Sequence, residues 1–152
     1  MSRVQLALNV DDLDAALSFY SRLFATEPAK VKPGYANFAI AEPPLKLVLI
    51  ENPGHGGSLN HLGVEVGSTD EVTAATARLS DEGIPTATED QVTCCYALQD
   101  KVWVDDPSGA PWEIYTVLDD SDTPNGDLRG NEPACGPGRC DTTSEADVCC
   151  SF

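Results

Sequence analysis

Two pairs of adjacent thiols, Cys94-Cys95 and Cys149-Cys150, stand out in the chain, and Cys135 and Cys140 bring the total to six cysteines. Neighbouring residues bridge only through a strained ring, so these pairs are poor candidates for disulfides. The opening Met-Ser-Arg-Val-Gln lacks the apolar core of a secretory signal, which points to the cytoplasm and to thiols that stay reduced. Adjacent reduced thiols are a place for a soft, thiophilic ion. A second group is Gln5, His61 and Glu113. An amide oxygen, an imidazole and a carboxylate brought together make a three-ligand site with open positions, like the facial set of non-haem Fe(II) enzymes with a glutamine replacing one histidine. Taken singly, each has a plainer explanation. His61 could be a satisfied polar residue at a strand start, and Glu113 in Pro-Trp-Glu-Ile-Tyr the solvated member of an alternating strand.

The trio gains weight from a repeat. Gln5-Leu-Ala-Leu-Asn-Val10 is followed by a polar turn and the helical pattern Leu13, Ala16, Leu17, Tyr20, Leu23, Phe24. His61-Leu-Gly-Val-Glu-Val66 is followed by another polar turn and Val72, Ala75, Leu79. Asp11-Asp12 and Ser68-Thr69-Asp70 supply helix caps and first-turn negative charge, and Gly83 stops the second helix. Each helix precedes strands rich in Val, Ile and aromatics: a short one near Val31, then 35–40 and 45–50 in the first half; 92–96, 101–105 and 112–117 in the second. Both halves therefore read β–α–β–β–β. Gln5 and His61 fall at the same place on the first strand of each half. Glu113 lies on the last strand of the second, in the phase that Lys46 occupies in the first. The fold class expected is α+β, two βαβββ modules (about 1–52 and 58–118) forming a cupped mixed sheet around a metal site. Lys46 would not ligate, leaving room for substrate. The polar stretch 86–93 reads as a mobile loop, Tyr96 and Trp103 as pocket walls, Lys101 as a solvated strand end, and His55 as part of a turn unrelated to the metal.

Length and composition bound the partners. The 152 residues are 41% hydrophobic, enough for one domain with a real core. Apolar runs stop well short of the roughly 18 residues of a membrane span. Twenty-five acidic against nine basic residues give a net charge of −16, which repels nucleic acid and anionic membrane surfaces. Composition changes near Val117. Residues 119–152 are dominated by Asp, Gly, Pro, Ser and Thr, and are expected to form a flexible, disordered acidic tail beyond a domain of residues 1–118. That tail carries Cys135, Cys140, Cys149 and Cys150, which could gather soft ions.

The chain resembles the vicinal-oxygen-chelate superfamily of glyoxalases, bleomycin- and fosfomycin-resistance proteins and extradiol dioxygenases. It looks most like the branch holding cadmium-induced proteins and Fe(II)-dependent carbon–arsenic lyases. The resemblance rests on Ser2-Arg-Val-Gln-Leu-Ala-Leu-Asn-Val10, Lys32-Pro-Gly-Tyr-Ala-Asn-Phe-Ala-Ile40, Pro44-Leu-Lys-Leu-Val-Leu-Ile50, Asn60-His-Leu-Gly-Val-Glu-Val66, Thr93-Cys-Cys-Tyr-Ala97 and Gln99-Asp-Lys-Val-Trp-Val104. It implies cleavage of the carbon–arsenic bond of methylarsenite and reduced aromatic arsenicals with Fe(II) and O2, releasing arsenite. Gln5, His61 and Glu113 would hold the iron, or Ni, Co, Mn or Zn in its place, and Cys94 and Cys95 would hold the arsenic. Monomers and module-exchanged homodimers both occur in such a superfamily. Two rival readings are a cadmium- or arsenic-binding sequestration protein without turnover, and a glyoxalase-like enzyme with another substrate. The second is disfavoured by Lys46 where a fourth ligand would stand.

Overall fold

The structure is a computed structural model and describes residues 2–123. The elements run β1 (Arg3–Val10), α1 (Leu13–Phe24), β2 (Lys30–Lys32), β3 (Tyr35–Ile40), β4 (Leu45–Glu51), β5 (Leu59–Glu65), α2 (Thr69–Asp81), β6 (Ala87–Cys94), β7 (Ala97–Asp105) and β8 (Pro111–Asp120). This is the expected β–α–β–β–β order twice over, an α+β fold with a mixed sheet. Gln5 and His61 are each the third residue of their strand. The described chain divides into two compact units, residues 3–63 and 64–123, so the division falls inside β5.

In the first unit the strand order is β2-β3-β4-β1-β5. β1 runs parallel to β4, with Gln5 opposite Lys46, and β3 is antiparallel to β2 and to β4. α1 starts where Asp12 accepts from the Ala15 amide and Glu51 Oε2 accepts from the Leu13 amide at 2.8 Å, satisfying donors the helix cannot pair internally. Its apolar stripe buries Leu13 against Ala36, Phe38, Ile40, Leu47 and Leu49, with Leu6, Leu8, Val10, Ala16, Leu17, Tyr20 and Phe24 packed around them. Leu23 departs from the expected stripe and is 56% exposed. Strand alternation then sends Gln5, Ala7 and Asn9 to the face away from α1, where all three are buried. That face carries the buried amides Gln5 and Asn9.

In the second unit the order is β5-β8-β7-β6, with antiparallel β6/β7 and β7/β8 pairs. α2 is capped by Ser68 and closes at Glu82, after which Gly83 takes φ +74, a conformation that suits glycine. Val72 and Leu79 are its buried residues. β8 continues past 118, pairing Asp119 and Asp120 with Leu98 and Ala97, and Ser121 then donates its amide to the Tyr96 carbonyl at 2.9 Å. The tail cysteines Cys135, Cys140, Cys149 and Cys150 lie outside the described residues. Among the described residues no helix is long and apolar enough to cross a membrane.

Candidate functional site

Gln5 and His61 meet in the first unit. Both are buried, with Gln5 Nε2 and His61 Nε2 3.1 Å apart. The other side of the imidazole shows what state it is in. Asn60 donates its Nδ2 to Asn9 Oδ1 at 3.0 Å, which orients the amide so that Asn60 Oδ1 faces His61 Nδ1 at 2.7 Å. A carbonyl oxygen only accepts, so Nδ1 carries the proton and Nε2 keeps its lone pair. Asn9 in turn donates to Ser58 Oγ at 2.9 Å, and Ser58 donates to the His55 carbonyl at 2.6 Å. The buried amides of β1 and β5 thus hold His61 in the tautomer a metal ligand needs.

Glu113 belongs to the second unit. It is 3% exposed, and Lys101 Nζ donates to its Oε2 at 2.9 Å with both side chains almost wholly buried. The expectation that Lys101 is a solvated strand end is overturned: it is 1% exposed, because its charge is matched rather than hydrated. Burial alone would lower its pKa, but the negative charge of Cys94, Glu113 and Cys95 outweighs that and raises it above the usual lysine value. Its Nζ also stands 5.3 Å from the Trp103 ring centroid. Trp103 donates its indole N–H to Glu89 Oε2 at 3.2 Å. Burial pushes the Glu89 carboxyl above its ordinary range, Lys101 and the Trp103 hydrogen bond pull against that, and Cys94 and Glu113 add to it.

The vicinal thiols sit at a hairpin tip. Cys94 pairs with Ala97, and the two residues between them, Cys95 and Tyr96, have φ of 53° and 60°. Positive φ at both positions is the pattern of a type I′ turn, which usually takes Asn-Gly. Holding two residues with Cβ atoms there costs about 1–2 kcal/mol each. Strain of that kind persists where the surroundings impose it, often at functional sites. Here the Ser121 amide holds the Tyr96 carbonyl from β8, while Asp100 ties down the base of the hairpin by accepting from Gln91 N at 2.7 Å and from Thr69 Oγ1 of α2 at 2.5 Å. The result places the Cys94 and Cys95 sulfurs 3.4 Å apart, Cys94 buried and Cys95 partly exposed, with no disulfide between them. The stretch 86–93, expected to be a mobile loop, is largely strand β6, bent by a bulge between Glu89 and Val92. Tyr96 is buried, as a turn residue rather than a strand residue.

The profile of the glyoxalase/bleomycin resistance protein/dioxygenase superfamily matches residues 3–114. The chain belongs to that superfamily. This member is 63% identical over 150 residues to the cadmium-induced protein CadI of Mycobacterium tuberculosis, covering 99% of this chain and 93% of the relative. It is 61% identical over 124 residues to the trivalent organoarsenical cleaving enzyme of Thermomonospora curvata, covering 81% of this chain and 82% of that protein. Among solved structures, the Mn(II)-bound glyoxalase from Novosphingobium aromaticivorans shares the fold at a TM-score of 0.58 and 21% identity, over 84% of this chain and 43% of that one.

Of the expected site residues, Gln5 and His61 are in hydrogen-bond contact, Cys94 and Cys95 form a thiol pair, and Glu113 is paired with Lys101. Among the described residues no group of three or more His, Cys, Asp and Glu side chains able to hold a metal occurs. The expected trio contains two such residues and a glutamine. The Nδ1–H tautomer of His61 is the one a metal ligand needs, and its Nε2 lone pair accepts from Gln5 Nε2 at 3.1 Å in this structure, a contact that a divalent cation would replace. Sequence reasoning missed Asn9, Asn60, Glu89, Gln99 and Asp100. For Asn9, Asn60, Gln99 and Asp100 the signal was a polar residue within a largely apolar strand, while Glu89 sits in a polar stretch that gave none.

Proposed function

We propose that this superfamily member is a cytoplasmic Fe(II)- and O2-dependent carbon–arsenic lyase that cleaves trivalent organoarsenicals, methylarsenite and reduced aromatic arsenicals, and releases arsenite. The observation that carries the reading is the strained hairpin holding two sulfurs 3.4 Å apart. Trivalent arsenic is soft and takes two thiolates, and a pair already held close binds it without the entropy loss of gathering separate ligands. The 61% identical relative named as a trivalent organoarsenical cleaving enzyme supports the same substrate class.

Gln5, His61 and Glu113 would hold the metal, with Ni, Co, Mn or Zn able to substitute. When bound, Fe(II) supplies Lewis acidity and the means to activate O2. The chain's own residues do the rest. Asn60 keeps the proton on His61 Nδ1. Lys101 balances the buried charge of Glu113 on the same unit. Cys94 and Cys95 fix the arsenic, and each thiol proton leaves with an arsenic hydroxyl as water.

A second reading, sequestration of cadmium or arsenic without turnover, is favoured by the 63% identity to a cadmium-induced protein. A glyoxalase-like activity is disfavoured because Lys46, directly across from Gln5, cannot act as a fourth ligand. The experiment is anaerobic Fe(II) loading, then methylarsenite and O2, with arsenite quantified by chromatography and elemental detection. Wild type is expected to form arsenite, and Glu113→Ala and the Cys94→Ser/Cys95→Ser double variant to form none. Tight Cd(II) or As(III) binding without arsenite would make the protein a trap. Turnover of a glutathione hemithioacetal, with none of arsenicals, would make it a glyoxalase.

A further inference from the structure

We propose that Gln99 is a third contact for the ligand captured by the thiol pair: its Oε1 accepts a hydrogen bond from the hydroxyl that a trivalent arsenical retains after the first thiol has bound. The inference rests on the arsenical reading above. Gln99 is 4% exposed, and its Nε2 donates to the Cys94 carbonyl at 3.2 Å. That bond orients the amide, since turning it over would set two oxygens against each other. Its Oε1 is then buried without a hydrogen-bond donor among the described residues. Native proteins rarely leave a buried acceptor in that state, and a ligand is one of the partners that explains it.

The strand register sets Gln99 on the same face as Cys94, and its amide touches the Cys94 main chain. On β7, Gln99 shares a face with Lys101 and Trp103, away from Asp100 and its bond to α2. Across the hairpin Val92 pairs with Gln99 and Cys94 with Ala97, so Cys94 lies on that face as well. Lys101, two residues along, gives its Nζ to Glu113.

The chemistry calls for such an acceptor. A trivalent organoarsenical carries two hydroxyls on arsenic. The first thiol forms one As–S bond, breaks one As–O bond and releases water. The hydroxyl that remains donates to Gln99 Oε1, which makes its oxygen more electron-rich and a better proton acceptor. The second thiol then forms the other As–S bond, its proton passes to that hydroxyl, and a second water departs. Arsenic stays trivalent throughout.

The test uses full-length, metal-free protein in which Cys135, Cys140, Cys149 and Cys150 are changed to serine. Methylarsenite capture is followed by rapid mixing and mass spectrometry, with iodoacetamide alkylation measured in parallel as a probe of thiol reactivity that carries no arsenic hydroxyl. Gln99→Met is expected to capture methylarsenite about tenfold more slowly, the size of one lost hydrogen bond, with alkylation within about twofold of the parent. Gln99→Glu keeps an acceptor oxygen but loses the donor to the Cys94 carbonyl, so it is read as capture relative to alkylation, and that ratio is expected to stay nearer the parent than in Gln99→Met. Unchanged capture in Gln99→Met, or an equal loss of capture and alkylation, would overturn the proposal. Adding Fe(II) and O2 to the same samples separates the two readings. A parent that captures methylarsenite but releases no arsenite sinks the lyase reading, while the Gln99 contact still stands or falls on the capture rates.

Discussion

A neutral amide behind a histidine does a different job from a carboxylate. Asn60 sets the tautomer of His61 without adding charge, and Asn9 sets the orientation of Asn60. Asn60→Leu should let the proton redistribute between Nδ1 and Nε2. With two histidines in the chain, long-range proton–nitrogen NMR of 15N-labelled, metal-free protein would resolve the change. Fe(II) or Mn(II) affinity should fall about 10- to 100-fold, the usual effect of removing a partner behind a ligand. A retained Nδ1–H tautomer in the variant would show that the amide is not what sets it. Gln5, His61 and Glu113 stood out in the sequence because the repeat aligned them, and the structure brings the first two into contact. Asn60 and Gln99 were not, because an amide in a strand has no diagnostic spacing. Lys101 was misread because a lysine on an alternating strand normally reaches water, and residue type alone does not show that it pairs with Glu113.

At the scale of elements, Asp100 fastens three pieces together: β7, which carries it, the bulge in β6 and the first turn of α2. Asp100→Ala leaves the Gln91 amide without its acceptor and should destabilise the fold by about 2–3 kcal/mol, read as a lower urea midpoint. Hydrogen exchange should rise across 90–96 while α1 and β1 keep their protection. Equal exchange across both segments would mean that Asp100 supports the fold generally and not the hairpin. Most elements were readable from apolar periodicity and caps, including the helix starts at Asp12 and Ser68. The first part of β6, residues 87–91, was taken for a loop because it is on an edge strand. An edge strand needs polar residues to discourage pairing with other chains, so Thr88, Glu89 and Asp90 imitate a loop while keeping strand geometry. The bulge at Gln91, φ 53, left no trace in residue type.

For the molecule as a whole, a net charge of −16 on 152 residues makes self-repulsion a standing opponent of the compact state. Raising NaCl from about 0.05 to about 0.5 M shortens the screening length to a few ångströms, and the urea midpoint at neutral pH should rise. A midpoint that stays flat would show that the acidic residues are spaced widely enough not to matter. The two candidate sites also differ in how far apart along the chain their parts lie. Gln5 and His61 are separated by 56 positions. The thiols are neighbours on a two-residue turn. Closing a long loop takes more entropy than closing a short one, and hairpins form within about 1–10 μs. The strained turn around the thiols waits for β8 and α2 to hold it, but the two cysteines are neighbours at every stage, whereas the amide–imidazole pair exists only once β1 and β5 meet. Unfolding parts Gln5 from His61 at once, while Cys94 and Cys95 stay adjacent even in a partly denatured chain, still a place for a soft ion.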